Sequence, residues 1–201
     1  LPCRILVSEG KGSELLLQVR GYRTPRADKG VRPGLPDELV QDAYRLLRGD
    51  SHLLFTNSRS RTEELAAALS ALCDRNFVPN EFFPHHGSLA PDLRRSLEER
   101  LQKKDLPTTA VCTSTLELGI DIGSVASIGQ VGEPGSASGL RQRLGRSGRR
   151  GAPAVLRVFV EEDETGPGSH PADALRLSLV QTAAVLSLLL RKWREPPREG
   201  L

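Results

Sequence analysis

The sequence has little of what marks secreted, metal-stapled or membrane proteins. It has only three cysteines, Cys3, Cys73 and Cys112, which are far apart, so neither a disulfide framework nor a zinc knuckle is predicted. It has no charged-then-apolar secretory start, and its most apolar run, residues 174–190, is short and interrupted by an arginine and a glutamine. We therefore expect an intracellular protein in a reducing, cytoplasmic setting of the prokaryotic type, with no membrane partner.

Methionine is absent, and aromatic residues make up only 4% of the 201 residues. The chain begins at Leu1 without a methionine, so we expect it to be part of a larger protein. A net charge of +3 does not by itself indicate a nucleic-acid partner. The local distribution is more informative, because five arginines lie within residues 141–150 with no acid among them.

The first third of the chain predicts a lead-in before the main domain. Residues 5–8 and 15–22 have strand patterns joined by a Gly-Lys-Gly-Ser turn, which indicates a β-hairpin, and a linker rich in proline and glycine follows. We assign residues 1–34 to this hairpin and linker. A helix is then predicted over residues 37–47.

Strands and helices alternate over residues 35–165. Strands are predicted at 53–56, 81–84, 109–113, 125–131 and 154–160, and a helix at 136–144. Ser60 with Glu63 predicts the start of one further helix, and Ser88 the start of another whose inner face is Leu93, Leu97 and Leu101. The alternation predicts an α/β fold, a three-layer parallel sheet with helices on both faces.

The last segment, residues 166–201, predicts a long helix over residues 171–193 that leads to a following domain. Its predicted apolar stripe consists of Leu175, Leu179, Leu186, Leu190 and Trp193.

Open parallel sheets bind ligands at the carboxyl ends of their strands. We therefore expect the chemistry in loops that follow strands: residues 57–59, 85–88, 114–121 and the arginine-rich segment.

The arginine-rich segment reads QRLGRSGR over residues 142–149. The side chains of Gln142, Arg146 and Arg149 lie three to four residues apart, so they project to one side of a helix or turn. The two guanidinium groups can there donate hydrogen bonds to phosphate oxygens. Gly145 and Gly148 would let a polyphosphate approach closely. The alternative is an ordinary solvated basic loop.

Residues 113–121, reading TSTLELGID, follow an apolar strand. Hydroxyls and backbone N–H groups at a helix start suit a phosphodiester, and Asp121 can accept from ribose hydroxyls. An ordinary strand-to-helix turn explains the same residues equally well.

Together these two segments resemble motifs V and VI of superfamily 2 DEAD/DEAH-box helicases. LLFTNSR at residues 53–59 looks like motif IV, and HHGSL at 85–89 resembles the segment between motifs IV and V. The amino-acid sequence of these motifs is most similar to that of the large helicase-related (Lhr) family, and the resemblance covers residues 35–165.

The resemblance implies a second RecA-like domain, which is a P-loop NTPase fold without its own phosphate loop. It implies that Arg146 and Arg149 are catalytic arginine fingers assisted by Gln142, and that Gly119, Asp121 and Gly145 lie at bound ATP. It further implies a nucleic-acid contact, to single-stranded DNA or RNA, through residues of three segments: Asn57, Ser58, Arg59, His86, Gly87, Thr113 and Ser114.

The sequence lacks the groups that hold ATP phosphates and Mg²⁺. No lysine is followed by serine or threonine, and the acidic residues 161–164 lack the pattern of a magnesium-binding box and predict a surface turn. His85 and His86 have no third metal ligand nearby, so no metal site is predicted. ATP and Mg²⁺ would be held mainly by a first RecA-like lobe, and we expect this chain to be inactive alone.

Two alternatives remain. One is a non-catalytic nucleic-acid-binding or scaffolding module derived from a helicase lobe. The other is a free-standing nucleotide-binding α/β enzyme, which the missing phosphate loop disfavours.

Overall fold

The computed structural model describes residues 14–24, 34–117, 122–148, 152–166 and 174–193. Within these ranges, six strands form one parallel sheet in the order β1-β6-β5-β2-β4-β3. The strands are β1 (Leu15–Thr24), β2 (Ser51–Phe55), β3 (Phe82–His85), β4 (Thr108–Cys112), β5 (Ser127–Val131) and β6 (Ala154–Asp163). The helices are α1 (Asp37–Leu46), α2 (Arg59–Arg75), α3 (Pro91–Lys103), α4 (Ala137–Leu144) and α5 (Leu177–Leu190).

The central strands are short, and both of their faces are covered. Every residue of β2, β4 and β5 is buried, as expected for strands of a parallel sheet between two helical layers. Cys112 of β4 and Cys73 of α2 are both buried in the core, which confirms their prediction as core residues. Burial raises the pKa of the Cys112 thiol, so this group stays protonated and is not a nucleophile.

Two hydrophobic cores lie on opposite faces of the sheet. One contains Leu101 of α3, Leu140 of α4 and Leu186 of α5. The other contains Leu39 of α1 and Leu69 of α2. The predicted three-layer α/β architecture is therefore confirmed.

Two helix starts differ from the sequence prediction. Helix α2 begins at Arg59, capped by the Ser58 hydroxyl, which accepts from the Arg61 N–H at 3.2 Å, so the predicted Ser60 and Glu63 capping box is wrong. Helix α3 begins at Pro91, which fits the first turn because it needs no N–H there, and Ser88 does not cap it.

The predicted inner face of α3 is only partly right. Leu97 and Leu101 are buried, but Leu93 is 60% exposed and lines a surface groove with Phe83 of β3. Since β3 is the edge strand of the described sheet, no described strand lies beyond it to cover the outer part of this helix, and the periodic pattern overestimates its buried face.

Helix α5 is shorter than predicted, and it uses another face. It starts at Leu177, and its buried residues are Thr182, Val185, Leu186 and Leu189. Of the predicted stripe only Leu186 is buried; Leu175, Leu179, Leu190 and Trp193 are exposed. The helix is apolar nearly all round, so periodicity could not decide which face packs. None of the helices that the structure describes is long and apolar enough to cross a membrane.

Strand β1 comes from the segment assigned to the lead-in hairpin. It pairs in parallel with β6 along its full length, from Leu15 with Ala154 to Thr24 with Asp163. The segment and the predicted domain therefore share one sheet. The predicted hairpin partner, residues 5–8, and the Gly-Lys-Gly-Ser turn, residues 10–13, lie outside the described residues.

Candidate functional site

All strands run in the same direction, so their carboxyl ends meet at one edge of the sheet. The residues predicted to contact nucleic acid lie on this edge, in the loops after β2, β3 and β4. We call them the carboxyl rim: Asn57, Ser58, Arg59, His86, Gly87, Thr113 and Ser114.

Side-chain hydrogen bonds join the loops of this edge. The Asn57 amide donates to the Glu133 carbonyl at 2.9 Å, which ties the loop after β2 to the loop after β5. The Arg59 guanidinium donates to the Ser88 hydroxyl. His85 Nδ1 lies 2.9 Å from the Thr115 hydroxyl, which connects the loops after β3 and β4. The carboxyl rim is therefore continuous.

Most of the carboxyl rim is open to solvent. Asn57, Arg59, Gly87 and Ser114 are exposed. His86 is the exception, since only 2% of it is exposed. Its Nε2 stands 2.9 Å from a Glu63 carboxylate oxygen without hydrogen-bond geometry. The His86 imidazole is thus closed off from a ligand in this conformation, and the loop offers its backbone instead.

The edge is divided by charge. On the β6 side, a cavity beside Asn57 is lined by Glu133, Glu161 and Asp163. Arg61 forms an ion pair with Glu161 there. Residues 161–163 belong to β6 rather than to the predicted surface turn. The exposed guanidinium of Arg59 therefore lies on the β2–β3–β4 side, away from these carboxylates.

The described part of the arginine-rich segment, residues 142–148, leads away from this edge, so its predicted position is wrong. Helix α4 runs back across the sheet, and the Arg146 carbonyl accepts from the Val125 N–H at 2.9 Å, just before β5. Ser147 forms a parallel bridge with Val125. We call Val125, Gly145, Arg146 and Ser147 the amino rim, because they lie at the amino ends of the strands. A crossover helix that starts near a carboxyl end must finish near an amino end.

Close backbone packing holds the amino rim. Gly148 has φ +71°, and a Cβ there would lie 2.6 Å from the Ala154 backbone nitrogen. The Ser147 hydroxyl donates to the Ala126 carbonyl and accepts from the Val155 N–H, each at 3.3 Å. Glycine is therefore required at position 148 by the backbone conformation and by packing on β6. The sequence interpretation had explained this glycine by the close approach of a polyphosphate.

The predicted phosphate ligands are only partly described. Arg146 is half-buried and donates from Nη2 to the Glu117 carbonyl at 3.2 Å. Gln142 lies one helical turn earlier on α4 and is exposed, as is Gly145 at the end of the helix. Arg149, Gly119 and Asp121 lie outside the described residues.

Sequence reasoning missed Arg143, which lies between Gln142 and Arg146. Its Nε donates to Glu117 Oε1 at 2.8 Å, and it also donates to the Gln130 side chain. Its guanidinium carbon stands 4.4 Å from the centre of the Phe55 ring. The only sequence signal was its place inside the arginine-rich segment, since the partners come from three separate elements.

Buried polar groups also lie at the amino ends of the strands. His52 of β2 is 5% exposed, and its Nδ1 lies 2.8 Å from the Ser127 hydroxyl of β5. Burial lowers the pKa of His52 to about 4, so it is neutral near pH 7. Among the described residues, no group of three histidine, cysteine, aspartate or glutamate side chains is placed to hold a metal ion.

Comparison with known proteins decides the family. Residues 36–151 match the family model described as the helicase conserved C-terminal domain. The chain belongs to this family. The match contains both rims, and its span agrees with the region of resemblance in the sequence.

The relatives of this helicase domain include Lhr proteins. It is 35% identical over 120 residues to the ATP-dependent helicase Lhr-Core of Methanothermobacter thermautotrophicus, covering 57% of this chain and 14% of that protein. It is 27% identical over 210 residues to the Escherichia coli Lhr helicase/uracil glycosylase, covering 81% of this chain and 13% of that protein. The chain thus spans about one seventh of the length of such relatives.

A solved structure supports the same assignment. The Mycobacterium smegmatis helicase Lhr, bound to single-stranded DNA and AMP-PNP, superposes with a TM-score of 0.70 at 25% identity, covering 93% of this chain and 23% of that one. The predicted RecA-like fold and the resemblance to Lhr helicases are therefore confirmed.

Proposed function

We propose that this helicase domain is the second motor lobe of an ATP-dependent DNA or RNA helicase or translocase. The observation that carries the proposal is the pair of rims on opposite edges of one sheet. The carboxyl rim offers exposed polar groups and Arg59, while the amino rim presents Arg146 from a firmly held backbone. Such a lobe can grip a nucleic acid on one edge and face a nucleotide on the other.

The carboxyl rim suits contacts to phosphates and sugars. Amide, hydroxyl and guanidinium donors bind a backbone without reading its bases. The exposed side chains Asn57, Arg59 and Ser114 are of these types. The partner would be single-stranded DNA or RNA, as the DNA-bound Lhr relative also suggests.

The amino rim suits the phosphates of ATP held by a first lobe. The donor set fits an anion, because Arg146 carries a guanidinium and the exposed Gln142 carries an amide. Arg149, Gly119 and Asp121 would complete this side. Bound ATP with Mg²⁺ would supply the phosphoryl group for hydrolysis, and the arginines of this chain would stabilise negative charge as it develops, at about 10³–10⁵ in rate.

ATP turnover by the purified chain tests the division of labour between two lobes. We expect the chain alone to bind single-stranded nucleic acid with an affinity that falls as salt rises. We expect no ATP turnover, because the sequence lacks a phosphate loop. The complete protein, which would supply that loop, is expected to hydrolyse ATP.

Two results would contradict this function. Nucleic-acid-stimulated ATP hydrolysis by the purified chain would show that no missing lobe is needed. A complete protein that binds nucleic acid but never hydrolyses ATP would favour the scaffolding module instead.

A further inference from the structure

A largely buried arginine side chain connects the two rims. Arg143 of α4 forms an ion pair with Glu117, in the segment after β4, and donates to the Gln130 side chain of β5. The Arg143 and Glu117 side chains are only 13% and 15% exposed. The Phe55 ring covers the guanidinium from the end of β2. One side chain thus joins a helix, a loop and two strands.

Arg143 differs from its neighbours in the same helix. Arg141 is exposed and donates to the Trp193 carbonyl at 2.8 Å on the surface. Arg143 instead directs its donors into the protein. A buried ion pair of this kind is weak support for stability, because apolar side chains can often replace it. Its geometry is better explained by a requirement for position.

The contacts of Arg143 continue to both rims. Towards the carboxyl rim, Gln130 Nε2 donates to Asn57 Oδ1 at 3.2 Å, and Gln130 is fully buried. Towards the amino rim, the Glu117 carbonyl accepts from Arg146 Nη2 at 3.2 Å. The residues Asn57, Gln130, Arg143, Glu117 and Arg146 therefore form one chain of contacts, which we call the relay.

We infer that Arg143 is a positioning residue that couples nucleic-acid binding at Asn57 to the placement of Arg146. The inference rests on the proposed function. A nucleic-acid phosphate that accepts from the Asn57 amide displaces the Glu133 carbonyl, and the resulting rotation of the Asn57 side chain changes the hydrogen bond that Gln130 donates to its Oδ1. Arg143 passes this change to Glu117, whose carbonyl orients Arg146. Coupling between two sites commonly amounts to about 5–150-fold.

The measurement is the stimulation factor, the ratio of ATP hydrolysis with saturating single-stranded DNA to hydrolysis without it, in the complete protein. We expect Arg143→Gln to lower this factor at least about tenfold. The dissociation constant for DNA should change less than about threefold, because Arg143 does not reach the carboxyl rim surface. Arg141→Gln, two residues away on the exposed face, is the matched control and should keep the factor.

A second variant separates positioning from folding. Gln130→Leu removes the link between Asn57 and Arg143 but leaves the ion pair of Arg143 with Glu117. We expect it to lower the stimulation factor while the melting temperature stays close to that of the Arg141→Gln control. Combining Gln130→Leu with Asn57→Ala should lower the factor no further than either alone, because both cut the same path.

The outcomes are distinguishable. An unstimulated wild-type protein would contradict the proposed function itself. A stimulated wild type whose factor survives both Arg143→Gln and Gln130→Leu would overturn the relay alone. If Arg143→Gln fails to fold, Gln130→Leu and the double variant decide: additive losses, or a factor that follows the melting temperature, would assign these residues a purely structural role.

Discussion

The carboxyl rim and the amino rim are built in different ways from the same sheet. Side chains on loops form the carboxyl rim, and bonds such as Asn57 to Glu133 and Arg59 to Ser88 connect neighbouring loops. Main-chain bonds form the amino rim, where the Arg146 carbonyl is fixed to Val125. Flexible side chains can adjust to a nucleic-acid backbone whatever its base sequence. A fixed main chain instead holds the single Arg146 in one position.

This difference fits the separate tasks proposed for the two rims. Gripping a moving strand needs contacts that are made and broken easily, and exposed polar side chains provide them. Stabilising charge on a phosphate needs a donor that is already in place, because reorganisation during the reaction lowers the rate. The following variants test whether the two rims differ in this way, from the largest expected effect to the smallest.

Arg146→Ala should have the largest effect. In the complete protein we expect ATP hydrolysis to fall by about 10³-fold, because the variant removes the described guanidinium of the amino rim. Steady-state ATP turnover at saturating nucleic acid checks this. Arg141→Ala, from the exposed side of α4, the helix that precedes Arg146, is the control and should keep the rate. Undiminished turnover by Arg146→Ala would remove the catalytic role from this rim.

Gly148→Ala should disrupt the fixed backbone of the amino rim. The residue has φ +71°, and the new Cβ would lie 2.6 Å from the Ala154 nitrogen, so the strand or the turn must move. We expect a loss of about 4 kcal/mol in the free energy of unfolding. Urea denaturation of the chain measures this loss.

Gly135→Ala provides the matched control, since a Cβ at Gly135 meets nothing within 4 Å. It should change the free energy of unfolding by less than about 1 kcal/mol. Equal losses in the two glycine variants would mean that the amino rim is no more tightly packed than an open loop.

Acid should lower the free energy of unfolding through protonation of His52, which lies at the amino end of β2. Its pKa is about 4 in the folded chain, because burial lowers it from the ordinary histidine value of 6.5. Between these values the unfolded chain holds the proton more tightly, so the contribution of His52 is complete above pH 6.5 and is lost as pH falls towards 4. The loss is about 3 kcal/mol at most.

Denaturation of the wild type and of His52→Asn across pH 4 to 7 checks this contribution. Carboxylates also titrate near the acidic end of this range, so the difference between the two proteins is the quantity to compare. We expect the variant to lose less stability on acidification. Parallel curves would mean that His52 titrates alike in the folded and unfolded chains.

Arg59→Ala should have the smallest effect, on binding alone. We expect the affinity for single-stranded nucleic acid to fall by about three- to tenfold, and the dependence of log affinity on log salt to weaken by about one unit. Fluorescence anisotropy across a salt series measures both. Arg75→Ala, at the far end of the same helix, is the control. An unchanged salt dependence would exclude Arg59 from the phosphate path.

The sequence predicted the fold well because short buried strands and amphipathic helices leave local patterns. It predicted β2, β4 and β5 to within a few residues, since apolar side chains mark each of them. It was wrong about the buried face of α5, where ten of the 14 positions are apolar and lie on several sides of the helix. Which face packs depends on the neighbouring β6 and α4, and no local pattern records that.

The sequence predicted which residues belong to the candidate site, but not how they are arranged in space. Spacing and resemblance selected both Asn57 and Arg146, yet the sequence interpretation placed them on one edge. The direction of α4 separates them, and this follows from the topology of the sheet. Arg143 was missed because its partners, Glu117 and Gln130, are 26 and 13 residues away along the chain.

The most direct test of the two-rim account is a cross-measurement in the complete protein. Nucleic-acid affinity is measured without nucleotide for Arg146→Ala, and ATP hydrolysis at saturating nucleic acid is measured for Arg59→Ala. We expect each value to stay within about threefold of the wild type. Arg146 lies on the amino rim, away from the proposed nucleic-acid contact, and Arg59 lies on the carboxyl rim, away from the proposed nucleotide contact. A large loss of nucleic-acid binding in Arg146→Ala, or of saturated ATP turnover in Arg59→Ala, would contradict the separation of the two tasks.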